Sequence, residues 1–283
     1  MKIQVGIGKK VLLFCAPLVA TSTLVASPSQ AATFASSTGS FEVNFNQSPL
    51  GTQTTTDTDT LAIASAGSSV VTDASADAIF VSAPSFSLPC SLERKLTTPA
   101  ACNGSSSFAE GEGTNYFGLA QSEARVLGNF LINPGETFAF NFLAFLGLTA
   151  EVDDLDSERA TASGEVSFQI VDGDSGTLLD SFLLAGKVDT KGNSDFITTQ
   201  QNTYMTLGRS STIESPAGKE KFTQGSIQAS YSRTFANTTN LLFVETKRNQ
   251  VTVKTPEPST TIGFLLTFGL AGIGLKARKK FAN

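Results

Sequence analysis

Five carboxylates crowd into one short stretch, Glu151, Asp153, Asp154, Asp156 and Glu158, and oxygen ligands gathered in a loop suit calcium. Asp153, Asp154, Asp156 and Glu158 are the candidate ligands. The stretch lacks the glycine turn and alternating ligands of an EF-hand, so a solvated acidic loop is the competing reading. Asp172 and Asp174 form a smaller acidic pair whose residue type also builds turns. Glu110 and Glu112, within Glu110-Gly111-Glu112-Gly113, raise acid and base chemistry on a glycosidic bond, against a reading as flexible-loop residues. The chain contains no histidine, which removes Ser/His/Asp and Cys/His catalysis and every His-ligated metal site. No Gly-x-Ser-x-Gly elbow is present. The chain is therefore read as a non-enzyme.

The three cysteines are Cys15, Cys90 and Cys102. Cys15 lies in an N-terminal segment with a basic start (Lys2, Lys9, Lys10), an apolar stretch from Val11 to Val25 and a small-residue end at Ser29-Gln30-Ala31. That order reads as a secretory signal over 1–31, and Cys15 leaves with it. Cys90 and Cys102 remain, in a Pro- and Ser-rich stretch outside the reducing cytoplasm, and are expected to form a disulfide. Closing a loop of that length is worth about 3 kcal/mol in the chain-entropy view.

The other end carries Pro256-Glu257-Pro258-Ser259, an apolar run from Thr261 to Leu275, and Lys276-Ala277-Arg278-Lys279-Lys280. Proline lacks the donor a strand ladder needs, so a folded domain stops before it. Ser259 to Leu275 is long enough, at about 25 Å as helix, to reach the short limit of a membrane span. The basic cluster keeps its own side cytoplasmic and leaves the domain outside.

Pro256, Glu257, Pro258 and Ser259, the helix containing Gly269, Gly272 and Gly274, and Arg278-Lys279-Lys280 together resemble the PEP-CTERM sorting signal of Gram-negative bacteria. The resemblance covers only the C-terminal end of the chain. It implies recognition by an exosortase, a membrane cysteine transpeptidase, with removal of the tail and release or attachment of the domain at the surface. The partners it implies are the exosortase, the secretion machinery and, before processing, the inner membrane. Such proteins accompany extracellular polysaccharide, so exopolysaccharide is a further expected partner. The signal is carried by otherwise unrelated domains and leaves the activity open.

Between the two ends, 32–254 reads as one extracellular domain, with 255–283 as the sorting and anchor segment. Setting aside seven basic residues and one acidic residue of the two ends leaves 13 basic and 24 acidic residues, a net charge of −11. That balance opposes phosphate backbones, and nucleic acid is excluded as a partner.

The strongest periodicity runs from Thr137 to Val152, where every even position from Phe138 to Val152 is apolar. This is the pattern of a strand with one buried face. The same period marks Phe41, Val43 and Phe45, and Val166, Phe168 and Ile170. Leu178 to Leu184 follows Asp172-Gly173-Asp174-Ser175-Gly176, which predicts a hairpin. Gly225 to Phe235, Leu241 to Thr246 and Gln250 to Lys254 are further strands, with Lys247-Arg248-Asn249 as a short turn. Gly51 to Thr60 is Thr-rich and reads as an exposed loop or a polar edge strand.

The fold class expected is an all-β, antiparallel β-sandwich of jelly-roll or immunoglobulin-like character. The function expected is a structural or adhesive protein of the cell surface or extracellular matrix. The alternative is a carbohydrate-binding, lectin-like module assisted by calcium. Sugar rings favour exposed Trp or Tyr, and the chain has no Trp and only Tyr116, Tyr204 and Tyr231.

Overall fold

A computed structural model describes residues 32–81, 99–192, 195–215 and 217–255. The expected signal segment, Cys90 and the Pro-Glu-Pro tail with its expected helix lie outside the described residues. Within them the protein is all-β. Its strands are β1 (Ala32–Phe45), β2 (Gly51–Ala64), β3 (Ser69–Val81), β4 (Ala100–Glu112), β5 (Tyr116–Ile132) and β6 (Thr137–Val152). They continue as β7 (Arg159–Asp172), β8 (Leu178–Asp189), β9 (Phe196–Gln200), β10 (Met205–Ser215), β11 (Glu220–Thr234) and β12 (Thr239–Lys254).

Two six-stranded antiparallel sheets form, in the orders β10-β11-β6-β1-β4-β3 and β2-β5-β12-β7-β8-β9. They stack face to face as a β-sandwich, β1 against β7 and β12, β4 against β5 and β12, and β6 against β7 and β8. Alternate residues of β1, β6 and β12 are buried, because successive side chains of a pleated strand point to opposite faces.

β6 has the bounds its periodicity predicts. Phe138, Phe140, Phe142, Leu146 and Leu148 all point into the sandwich and are buried. The predicted hairpin is β7–β8. There Asp172 accepts two backbone N–H bonds from Asp174 and Ser175, and Gly176 takes a positive φ of 71° that a Cβ would oppose. Gly51–Ala64 is the polar edge strand of its two readings. β2 closes one edge of its sheet and is solvent-exposed along almost its whole length.

The interior is divided in two. Towards β6, β7 and β8 it is aromatic: Phe41, Phe142, Phe168, Phe182 and Phe243 pack with ring centroids 4.9–6.5 Å apart. Between β4, β1 and the middle of β12 it is polar, with Asn103, Ser105, Ser107, Ser37, Glu245, Lys247 and Asn249 buried there.

Candidate functional site

The inward face of β12 reads Leu241, Phe243, Glu245, Lys247, Asn249, Val251, Val253, and every one of these is buried. This corrects the expected turn at Lys247-Arg248-Asn249. The strand is continuous because it is paired on both sides. Lys247 lies opposite Ala124 of β5 and Val166 of β7, and Asn249 opposite Ser122 and Gly164. A central strand with both ladders made has every backbone polar group satisfied, so local charge does not break it. Only Arg248 faces outward, where its Nε donates to Glu123 Oε2 at 3.0 Å.

Room for the polar layer comes from small residues around it. A Cβ on Gly164 would stand 2.5 Å from Leu146 Cδ1 and 2.8 Å from Asn249 Oδ1. Asn249 is held at both ends of its amide. Nδ2 donates to Ser105 O at 2.9 Å and to Ser105 Oγ at 2.6 Å, while Oδ1 accepts from Ser37 Oγ at 2.7 Å. Ser107 and Ser122 share a bond of 3.0 Å beside it.

Glu245 and Lys247 are both fully buried, at 0% exposure, and their geometry is different. Glu245 Oε1 accepts from Lys247 Nζ at 3.4 Å, and Oε2 accepts from Asn103 Nδ2, which reaches across from β4. One carboxylate therefore holds an amine on one oxygen and a primary amide on the other. Asn103 Oδ1 is buried without a hydrogen-bond partner. Burial pushes the Glu245 carboxyl up to about 7, against the pull of Lys247 and Asn103. Burial likewise pushes the Lys247 amine down to about 8, against Glu245. Both shifts favour the neutral forms, as expected where charge is taken out of water.

A second buried lysine shows what full satisfaction looks like. Lys221 Nζ donates to Asp189 O at 2.8 Å, Gly192 O at 2.7 Å and Asp195 Oδ2 at 2.7 Å. Three acceptors match its three donors.

The acidic stretch does not converge on an ion. Asp153 and Asp154 N–H groups donate to Glu158 Oε2 at 2.9 and 3.0 Å, and Asp156 N–H donates to Asp154 Oδ1 at 3.0 Å. Glu158 is buried beneath the turn. The Glu158 and Asp154 carboxylates thus tie the β6–β7 connection by bonding its own backbone, Asp153 Oδ2 accepts from the Ala32 N–H of β1 at 2.9 Å, and among the described residues no group of three or more acidic or thiol side chains is placed to hold a metal.

Glu110 and Glu112 lie in β4 rather than in a loop. The intervening Gly111 does not loosen the strand. Its missing side chain makes room for the Tyr116 ring, since a Cβ there would be 2.2 Å from Tyr116 Cε2. Cys102 is also in β4 and buried, and its expected partner Cys90 lies outside the described residues. Tyr116 and Tyr231 are buried. Tyr204 is exposed and lies under the Arg233 guanidinium, 4.7 Å from its ring centroid.

No protein-family model, curated protein or solved structure matches the chain. The polar layer was missed in the sequence because Lys-Arg-Asn resembles a turn, yet one signal was there. Glu245, Lys247 and Asn249 share the parity of Leu241, Phe243, Val251 and Val253.

At the end of the sandwich nearest Ala32, Arg159 forms a two-bond fork with Asp189, from Nε to Oδ1 at 3.0 Å and from Nη2 to Oδ2. Burial alone would push the Asp189 carboxyl up, but the Arg159 bonds and the Lys191 N–H outweigh it and hold it below the ordinary value. A depressed carboxyl adds stability above its unfolded pKa, and that stability is lost as pH falls through the folded one. Arg159→Met is therefore expected to lower the urea midpoint at pH 6, with the gap between the two proteins closing as the pH falls below the ordinary carboxylate range and Asp189 protonates. A gap that stays constant with pH would show that the fork is not electrostatic in origin.

Proposed function

We propose that the protein is exported, sorted by an exosortase, and serves as a structural or adhesive component of the cell surface or extracellular matrix. The sorting part rests on the resemblance of Pro256, Glu257, Pro258, Ser259, Arg278, Lys279 and Lys280 to the PEP-CTERM signal. The observation that carries the structural part is that both described ends leave the sandwich on one side. Ala32 pairs with Glu112, and the Thr255 N–H donates to Tyr116 O at 3.3 Å. An anchor or surface linkage after Thr255 would hold that end down. The opposite loops would stand about 50 Å away, the length of a strand such as the 16-residue β12 at about 3.3 Å per residue. We read the sandwich as jelly-roll-like, because most of its connections pass from one sheet to the other.

The test is intact mass and fractionation of the protein from its native cells. Loss of both ends with recovery in the matrix or medium is expected, together with alkylation-resistant Cys90 and Cys102 in the unreduced protein. Recovery in the membrane fraction with Thr261 to Leu275 retained would overturn the sorting reading. Saturable, competable binding on a glycan panel would instead make the domain a carbohydrate-binding module. With Tyr116 and Tyr231 buried, Tyr204 would be the only tyrosine open to stack on a sugar ring.

A further inference from the structure

We infer that Lys247 and Asn103 join covalently, through an isopeptide bond from Lys247 Nζ to Asn103 Cγ formed by the folded protein itself with Glu245 as proton carrier. The inference stands on the polar layer alone and is independent of how the chain is sorted.

The geometry supplies each part of an amide exchange. The nucleophile is an amine in a site with 0% exposure, and among the described residues it makes a single long bond of 3.4 Å, to Glu245. Lys221, by contrast, has three close acceptors for its three donors. Lys247 lacks that support, and dehydration favours its neutral, nucleophilic form. The electrophile is the primary amide of Asn103, 3% exposed, bonded to the other oxygen of the same carboxylate. Asn249 is two residues further along the same face, but both ends of its amide are tied to Ser37 and Ser105. Asn103 Oδ1 has no partner, so nothing in the described structure holds the carbonyl away from attack.

The step balances without an outside reagent. The proton of the Lys247 ammonium passes to Glu245, leaving an amine and a carboxylic acid. Nζ attacks Cγ, and the carbonyl electron pair moves onto Oδ1. Glu245 gives its proton to Nδ2 and takes one back from Nζ. The Cγ–Nδ2 bond then breaks, the carbonyl reforms, and ammonia leaves. Nothing is oxidised or reduced. Exclusion of water from the layer protects the route against hydrolysis of Asn103, and holding amine and amide on one carboxylate replaces an encounter in solution. The Glu245 carboxyl, near neutrality rather than in the usual acid range, is suited to carrying a proton in both directions.

The bond would tie β12 of one sheet to β4 of the other. The test is tryptic mapping of the reduced and alkylated full-length chain, expressed with export. Trypsin does not cut after an acylated lysine, so the expected product is a branched peptide joining 96–125 to 234–248. Its mass is lower than the sum of the two linear peptides by one ammonia, about 17 Da. Lys247→Met and Asn103→Ala should abolish the branch, and Glu245→Gln should reduce it at least tenfold in a protein whose near-ultraviolet circular dichroism is unchanged. Should any variant fail to fold, the wild-type digest decides. Linear 96–125 beside a peptide ending at Lys247 would overturn the inference, as would a branch onto the peptide that contains Asn249.

Discussion

Replacing Asp180 by alanine is expected to lower the unfolding free energy by about 3 kcal/mol, within the roughly 3–5 kcal/mol seen when one partner of a buried pair is removed. Asp180 lies on β8, with a side chain of 0% exposure. Its Oδ2 accepts from Tyr231 Oη at 2.6 Å and from Arg233 Nη1 at 2.7 Å, and both donors come from β11 of the opposite sheet. Burial, then the Asp180 carboxylate, pushes the Tyr231 hydroxyl far above its ordinary value, so it stays protonated and donating at any working pH. Removing the acceptor strands that hydroxyl in a dry site. Arg233, with 23% side-chain exposure, can turn its charge to water, which places the loss at the lower end of the range. Asp180→Asn keeps an acceptor and should cost about half as much. Urea unfolding checks both variants, and a loss below 1 kcal/mol for the alanine variant would show that the carboxylate does not bridge the sheets.

Phe140→Ala should cost as much or more, about 3–5 kcal/mol, the range for truncating a buried aromatic that leaves a cavity. Phe140 is 2% exposed, and its ring meets Phe45, Phe168, Phe243 and Tyr231 at 5.6, 5.3, 5.4 and 5.0 Å between centroids. These rings come from β1, β7, β12 and β11, so the cavity opens between sheets and no single side chain can fill it. Phe34 gives the contrast. It meets Phe108 edge-on at 5.4 Å on the outer face of its sheet, half-buried, and Phe34→Ala should cost about 1 kcal/mol. Equal losses at the two positions would mean that the aromatic half of the interior is not the main source of stability.

The aromatic half was legible because period and composition agree there. Even positions of 137–152 are all apolar, and the strand ends at Val152, within the acidic stretch. The polar half was not, because residue type and position disagree. Glu245, Lys247 and Asn249 have the parity of core residues and the chemistry of a turn. Partners on two neighbouring strands settle such a conflict, and these come from Ala124, Val166 and Gly164, far away in sequence. Glu110-Gly111-Glu112 misled for a related reason. Its glycine serves the Tyr116 ring, a contact that no local pattern announces. The acidic stretch follows β6 from Asp153 onward, with Glu151 still inside the strand, but whether carboxylates face an ion or their own backbone depends on turn geometry rather than on count.

β12 is the last described strand to be synthesised, yet it sits between β5 and β7 near the middle of its sheet. Until it arrives, that sheet is two separate pieces, β2-β5 on one side and β7-β8-β9 on the other, each with a raw edge. β1, the first described strand, has the complementary situation, waiting for β4 and β6. A chain that emerges from its N-terminal end therefore cannot complete either the aromatic cluster or the polar layer by halves. Closure through such distant pairings is slow. Premature contact between raw edges is the hazard along the way, and the arrangement favours a chain kept open until its whole length is free.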